Sequence, residues 1–306
     1  TDPNVQVDLI VDMTGKPSVL SDASLKLWLD ADHTNSIIKD GSNNVSKWLD
    51  LSGNGNDMTS YGNPQYSSNK IVLDGSDDYL ELASGDRSKF KFLHSNDSTV
   101  YVVLKRDSGV GYDVVIDTGG YSRAETGFSY ALRPAANAYP FLHISNPNLT
   151  GEYRSATSYP DRVPLANTDL GIHMIKSTPS TLGDTTEYSK LNLNGLKISK
   201  LYDSESLLFT PTTQASSHPL HIGVFGNRGA TGYLDGDIAE VLIFDKILDP
   251  DETAKVNAYL SSKWGLTNKV DSDGDGVKDN IDAFPLNSAE SVDTDGDGVG
   301  NNADTD

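Results

Sequence analysis

An all-β sandwich trailed by an acidic, metal-holding tail is the architecture this sequence predicts. Three observations carry the expectation: many short β-rich runs separated by turn signals, a single segment with a full set of helix-end signals, and a C-terminal stretch whose carboxylates recur periodically. The 306 residues include 27 Gly and 13 Pro, as a chain with many turns requires, and a hydrophobic content of 36% suffices for a core.

The β-rich runs are Leu25–Leu29, Lys70–Leu73, Tyr79–Leu82, Thr99–Lys105, Asp113–Ile116, Phe128–Leu132, Phe141–Ile144, Gly171–Ile175, Tyr188–Leu193, Leu196–Ser199, Leu220–Val224 and Ile238–Phe244. No helical pattern alternates with them, which argues for a sandwich or barrel rather than a parallel sheet. Asn194-Gly195 between two apolar runs is a hairpin signal, because both residues tolerate the positive φ of a tight primed turn. The one helix is expected from Pro250 to about Trp264. Asp249 can cap it, Pro250 suits its first position, Glu252 completes a capping box, and Gly265 can stop it. Val256, Tyr259, Leu260 and Trp264 form one apolar stripe for packing on the sandwich. Residues 1–20 have no periodic pattern and read as a linker or a first edge strand.

Charge excludes several function classes. With 24 Lys and Arg against 44 Asp and Glu, the net charge of −20 is wrong for nucleic acid or an anionic membrane, whose phosphates need cations to displace their counterions. Zero cysteines remove disulfides, thiolate nucleophiles and Cys-ligated zinc. The longest apolar run, Val100 to Leu104, is far short of the ~20 residues of a membrane helix. The chain begins at Thr1, so we expect a secreted or cell-surface protein whose signal peptide has been removed, or a piece of a longer chain. A monomer is expected.

The charge is also uneven. Residues 271–306 hold eleven acids and one Lys, half of the net charge in about an eighth of the chain. A like-charge run is usually a solvated, disordered tail. Here Asp271, Asp273 and Asp275 alternate, Gly276 follows, and Asp279 and Asp282 close the unit; 22 residues later Asp293, Asp295, Asp297, Gly298, Asn301 and Asp304 repeat it. Calcium takes six to eight hard oxygens, and alternating short carboxylates on a tight loop supply several from one side. Glycine permits the sharp turn, and the carbonyls of Val277 and Val299 can complete the shell. Ca2+ is therefore the expected cofactor.

DSDGDGVKDNID and DTDGDGVGNNAD begin like EF-hand loops, but Asp stands at the twelfth position and no helices flank them. They resemble thrombospondin type 3 repeats, and the intervening AFPLNSAE resembles the bacterial form, with Phe284 and Pro285 as a small apolar clamp. The resemblance implies a calcium-threaded spacer with little regular secondary structure over 269–306, in an array that continues past Asp306. LWLDAD at 27–32, VSKWLDLSGNGND at 45–57, IVLDGSDDYLEL at 71–82 and GYLDGDIAEVLIFDKILDPDE at 232–252 together resemble a laminin-G-like domain, and more specifically the bacterial concanavalin A-like lectin/glucanase jelly rolls. That resemblance spans 21–268 and implies two curved antiparallel sheets, one concave face and a calcium ion near the rim. It suggests Asp50 and Asp237 as ligands of that ion, on the SGNGN turn and before the last strand; the alternative at both places is ordinary Asx-turn chemistry.

Residues 121–162 carry four of seven Arg (Arg123, Arg133, Arg154, Arg162) and five of 14 Tyr (Tyr121, Tyr130, Tyr139, Tyr153, Tyr159), with three acids and no Lys. Tyrosine rings stack on pyranose faces, and guanidinium groups take carboxylates or sulfates in two-pronged fashion. Arg123, Tyr130, Arg133, Tyr139, His143, Tyr153, Arg154 and Tyr159 are therefore the expected contacts for a polysaccharide, an acidic one by this charge. In the competing reading half of these tyrosines are core residues and the arginines offset the protein's own acids.

An enzyme of this fold is the alternative. Asp235-Gly-Asp237-Ile-Ala-Glu240 has the spacing of laminarinase-type carboxylates, but Asp stands where the nucleophilic Glu belongs, and the two ends share a face only if a bulge intervenes. His143, Tyr130 and Arg133 could serve a lyase, although no alginate-lyase strand motif occurs. No HExxH or GxSxG is present. His218 and His221, three apart near a strand, are expected on opposite faces as structural residues. A calcium-dependent adhesin is the third reading. The expectation is a carbohydrate-binding module with spacer repeats, belonging to a larger polysaccharide-degrading enzyme or surface protein.

Overall fold

The computed structural model describes residues 17–107, 112–119, 125–132, 140–145, 153–157, 169–179, 189–198, 201–203, 212–227 and 232–305. Two antiparallel sheets face each other. Numbered in chain order, the eight-stranded sheet holds β1 (Leu25–Asp30), β5 (Gln65–Ser67), β6 (Lys70–Asp74), β8 (Ser98–Arg106), β13 (Gly171–Ser177), β14 (Ser189–Leu193), β15 (Leu196–Ile198) and β18 (Asp235–Phe244). The ten-stranded sheet holds β2 (Ile37–Lys39), β3 (Val45–Trp48), β4 (Met58–Tyr61), β7 (Tyr79–Leu82), β9 (Asp113–Asp117), β10 (Gly127–Leu132), β11 (Pro140–Ser145), β12 (Tyr153–Thr157), β16 (Leu201–Asp203) and β17 (His221–Ile222). A single-turn helix α1 (Phe92–Ser95) and the long helix α2 (Pro250–Lys263) complete the regular elements. The fold is the all-β sandwich the sequence implies.

The first sheet runs β15-β14-β13-β8-β18-β6-β5, and the second β16-β12-β11-β10-β9-β17-β7-β4-β3-β2. β18 is the axis of its sheet. It pairs with β8 along its length, while its other edge takes β6 at Asp235–Ile238 and β1 at Glu240–Phe244. Two apolar layers result from the two-residue alternation of the strands. Leu27, Leu29, Leu73, Val102, Ile238 and Val241 point at the other sheet, where Trp48, Met58, Leu80, Ile116, Phe128 and Leu142 meet them. On the outward side of the same strands, Trp28, Tyr101, Val103, Ala239, Leu242 and Phe244 receive Val256 and Leu260 of α2.

Helix α2 begins as expected. Asp249 accepts from the Glu252 amide at 2.8 Å, the Glu252 carboxylate takes the Asp249 amide at 3.1 Å, and Gly265 ends the run at a φ of 66°. Before β1, a 3-10 turn at Ser18–Ser21 buries Val19 and Leu20 in the helix-side layer. Residues 1–16 lie outside the described set. The segment from 271 to 305 contains turns and bends only. Among the described residues no helix is long and apolar enough to cross a membrane.

Candidate functional site

On the ten-stranded sheet, Leu80, Ile222, Ile116, Tyr130 and Leu142 face the interior, so the residues beside them in each strand must face outward. Cross-strand register then lines up one outward row over seven strands, Lys47, Thr59, Glu81, His221, Asp117, Ser129 and His143, and pairs the last of these with the Arg154 position of β12. Tyr61 and Tyr79 stand opposite each other one step along, their rings parallel at 4.8 Å, and Tyr233 tilts against Tyr79 at 6.4 Å. Tyr61 is 40% exposed, which leaves it room for a ligand.

The charges in this row are fixed by neighbours. His221 Nδ1 lies 2.9 Å from the Pro219 carbonyl, an acceptor only, so that nitrogen carries hydrogen; Nε2 meets Glu81 Oε2 at 3.0 Å. His221 is buried, whereas Glu81 keeps part of its side chain in solvent. Asp117 is wholly buried, taking the Ser129 hydroxyl on one oxygen and the Gly226 amide at 2.9 Å on the other. Next to this pair, His218 Nε2 meets Glu125 Oε1 at 3.0 Å, and the rings of His218 and His221 are 6.3 Å apart. These two histidines do not point to opposite faces. Pro219 cannot join a strand ladder, so β17 starts only at His221 and His218 belongs to the preceding loop, which folds back over the row.

The expected glycan contacts divide into three groups. His143 is in the outward row, buried between Ser129 and Arg154 in register. Tyr153 and Arg154 are on β12, next to it. Tyr130 is a core residue instead: its ring is buried between the sheets and its hydroxyl meets His173 Nδ1 at 2.6 Å. An interior strand position leaves that ring no free face for a sugar. Arg123, Arg133, Tyr139 and Tyr159 lie outside the described residues.

The carboxylates of the enzyme alternative do fall on one face. A bulge in β18 between Ile238 and Glu240 supplies the shift that Asp235, Asp237 and Glu240 need. That face, however, belongs to the eight-stranded sheet and lies under α2. Glu240 is fully buried, with Oε1 accepting from Trp28 Nε1 at 2.8 Å and Tyr259 Oη at 3.1 Å. Its Oε2 accepts from Lys263 Nζ at 2.9 Å and Trp264 Nε1 at 2.8 Å. Four donors fill its acceptor sites, and Lys263 also pairs with Asp30 at 2.6 Å. Burial raises the Glu240 pKa, the Lys263 charge opposes that, and Asp30 adds to it. This carboxylate anchors the helix.

Asp50 and Asp237 stand apart in their bonding. Asp50 accepts from the amides of Trp28, Ser52 and Asn56 and from the Ser52 hydroxyl, at 2.8–3.0 Å. Asp237 pairs with Lys70 at 3.0 Å. Three other acidic groups converge within metal-ligating range: Asp74, Asp77 and Asp78; Asp271, Asp273 and Asp275; and Asp293, Asp295 and Asp297. The first is a self-satisfied turn, whose carboxylates accept from the amides of Asn63, Asp74, Ser76 and Asp77.

The other two are copies of one another. Asp271 takes the amides of Gly274 and Gly276 at 2.7 and 2.9 Å, and Asp293 takes those of Gly296 and Gly298 at 2.7 and 3.0 Å. Gly276 and Gly298 hold φ of 99° and 88°, conformations that side-chain-bearing residues rarely adopt. Asp279 and Asn301, expected among the metal ligands, also close their loops. Asp279 accepts from Ser272 N and Oγ and from Ser261 Oγ, while Asn301 bonds Thr294 N and Oγ1. Asp273 Oδ2 is sealed from solvent without a hydrogen-bond partner. Burial, reinforced by the charges of Asp275, Asp282 and Asp271, pushes the Asp273 pKa up to about 6. A cation is the group such an oxygen lacks.

No protein-family model matches the chain, and no curated protein matches its sequence. Solved structures do match. The binding domain of botulinum neurotoxin DC in complex with SialylT aligns at a TM-score of 0.52 and 14% identity, over 80% of this chain and 52% of that one. A structure of botulinum neurotoxin type C, whose cell entry is described as dependent on interaction with two ganglioside molecules, aligns at 0.50 and 12% identity, over 82% and 53%. Trypanosoma rangeli sialidase in complex with sialic acid aligns at 0.51 and 13% identity, over 80% and 34%. The chain thus spans about half of the toxin structures and a third of the sialidase. The likeness is one of fold.

Proposed function

We propose that this chain is an extracellular carbohydrate-binding module of a larger polysaccharide-degrading or surface protein, with calcium-stabilised repeats of the thrombospondin type 3 kind behind a laminin-G-like, concanavalin A-like jelly roll. The observation that carries the glycan reading is the outward row of the ten-stranded sheet, in which Tyr61 and Tyr79 adjoin Glu81 and His221. An exposed aromatic ring beside paired hydrogen-bonding side chains suits a pyranose, whose faces are apolar and whose rim is hydroxylated. The sialylated and ganglioside ligands named for its structural neighbours support this reading. An acidic polysaccharide is the substrate class we favour, on the arginine content of residues 121–162.

Calcium is supported by donor chemistry and by the orphaned Asp273 oxygen. Asp271, Asp273, Asp275, Asp282 and the Val277 carbonyl would hold the first ion, and Asp293, Asp295, Asp297, Asp304 and the Val299 carbonyl the second. Affinity electrophoresis through gels of neutral and acidic polysaccharides, with and without chelator, tests the function. Retardation by a glycan without clearing of the gel is expected; free migration in every gel would reject the module, and a cleared zone would make it an enzyme.

A further inference from the structure

We infer that the first acidic loop is a structural part of the sandwich, so that its calcium ion latches α2 and the β14–β15 turn to it, while the second loop binds its ion without consequence for the sandwich. This rests on the calcium reading above. Inside the loops the hydrogen bonds match one for one; outside them they do not.

The first loop is built into the domain on three sides. Val270, which leads into it, is wholly buried in the helix-side layer. The Asp271 amide donates to the Asn194 carbonyl at 3.2 Å, and Gly195 lies so close to the Asp271 carbonyl that a Cβ would come within 1.7 Å of its oxygen. From α2, Asn257 Nδ2 reaches the Ser272 carbonyl at 3.0 Å and Ser261 Oγ reaches Asp279 Oδ2 at 2.5 Å. The Asn280 amide donates to Thr267 at 3.0 Å, and Lys269 pairs with Asp169 at 3.2 Å. In the second loop the partner of Asn301 is Thr294, within the loop, and Asn302 reaches back to Glu290 and Ala289 at 3.0 and 2.6 Å. These connections run to the segment between the loops.

The difference extends to solvent. Asp271 is buried and Asp273 and Asp275 are half-buried, whereas Asp295 and Asp297 are exposed. A carboxylate cage held in place and dried by its surroundings gives an ion more than a solvated loop can. An ion that binds only the folded arrangement stabilises whatever that arrangement includes, and the coupling is reciprocal. At the first loop it includes α2 and the hairpin turn; at the second it includes the loop and its connector.

The test uses the full chain and reads two quantities in one calcium titration: ions bound, by calorimetry, and unfolding of the sandwich, by tryptophan fluorescence. Trp28 and Trp264 both sit on the Glu240 carboxylate under α2 and report that layer. At calcium about 100-fold over its Kd, the wild-type midpoint should rise by roughly 5 °C or more. Asp295→Asn should lose one ion and keep the rise. Asp273→Asn should keep one ion and lose the rise. Should Asp273→Asn fail to fold, Ser261→Ala decides, because Ser261 lies on the helix outside the loop: it should weaken one ion several-fold and leave the other unchanged. A rise lost with Asp295→Asn, an equal loss in both variants, or two ions indifferent to Ser261→Ala would overturn the latch. A wild-type chain that binds no calcium would instead reject the calcium reading on which the latch stands.

Discussion

Beneath α2, on the outward face of the eight-stranded sheet, Glu240 meets two indole N–H groups, a phenol and an ammonium and is wholly buried; on the outward face of the ten-stranded sheet, Glu81 bonds the His221 imidazole and keeps part of its side chain in water. Both faces carry acids among aromatic rings. What separates them is closure. A helix that supplies every donor turns a carboxylate into an anchor, because a buried charge with all its lone pairs filled has nothing left for a ligand. On the outward face of the other sheet, Tyr61 and Glu81 remain within reach of solvent. The presence of clustered acids and rings therefore does not identify a site; their access to solvent does.

If that contrast is sound, Glu240→Ala should be among the most damaging substitutions. It leaves Lys263 with only Asp30 as a charged partner, beside the neutral Tyr259 hydroxyl, and takes from the Trp28 and Trp264 indole N–H groups the acceptor they share. Truncating one partner of a buried charge pair costs about 3–5 kcal/mol, so the urea midpoint should fall sharply. A change under about 1 kcal/mol would mean that the helix is not anchored there.

Acid should sharpen the contrast next. Burial pushes His94 down to about 4, and His173, bonded to Tyr130 across the sandwich, down to about 4 as well. Both are neutral in the fold, whereas the unfolded chain protonates them near pH 6.5. The unfolded state thus binds more protons as pH falls from about 6.5 to about 4, and stability drops through that window, by on the order of 3 kcal/mol for each histidine at its lower end. Urea unfolding at pH 7 and pH 4.5 measures it, and His173→Phe should flatten part of the slope. An unchanged slope would place that histidine in contact with water.

A smaller effect concerns the cover itself. Asp249→Ala removes one half of the capping box at the start of α2 and should cost about 1 kcal/mol, read as a lower midpoint with unchanged denaturant slope.

How much of this could be read in the sequence follows physical lines. Strand-forming runs, the capping box and the twin acidic loops are local patterns, and each has its counterpart in the structure. The outward row is not local. Thr59, Glu81, His221, Asp117, Ser129 and His143 come from six strands scattered between residues 59 and 221, and only register brings them level. One local hint existed: Tyr79 and Glu81, two apart with Leu80 and Leu82 between and after them, must share the face away from the core. Tyr130 obeys the same rule with the opposite result, since alternation says that it differs from Ser129 but not which of the two points inward. Asp279 has a ligand's spacing in the sequence, and its further bond to Ser261 of α2 is visible only in the structure, because that contact joins two elements.

The least disruptive substitutions test the central claim. Tyr61→Ala and Glu81→Gln alter solvent-reached positions on the outward face of the ten-stranded sheet, where substitution should change the thermal midpoint by only a few degrees. Binding to the retarding polysaccharide, titrated by calorimetry for the wild type and both variants, is the most direct measurement. The account predicts at least a tenfold weaker Kd in each variant with the fold intact. Undiminished affinity in both would place the glycan elsewhere and contradict it.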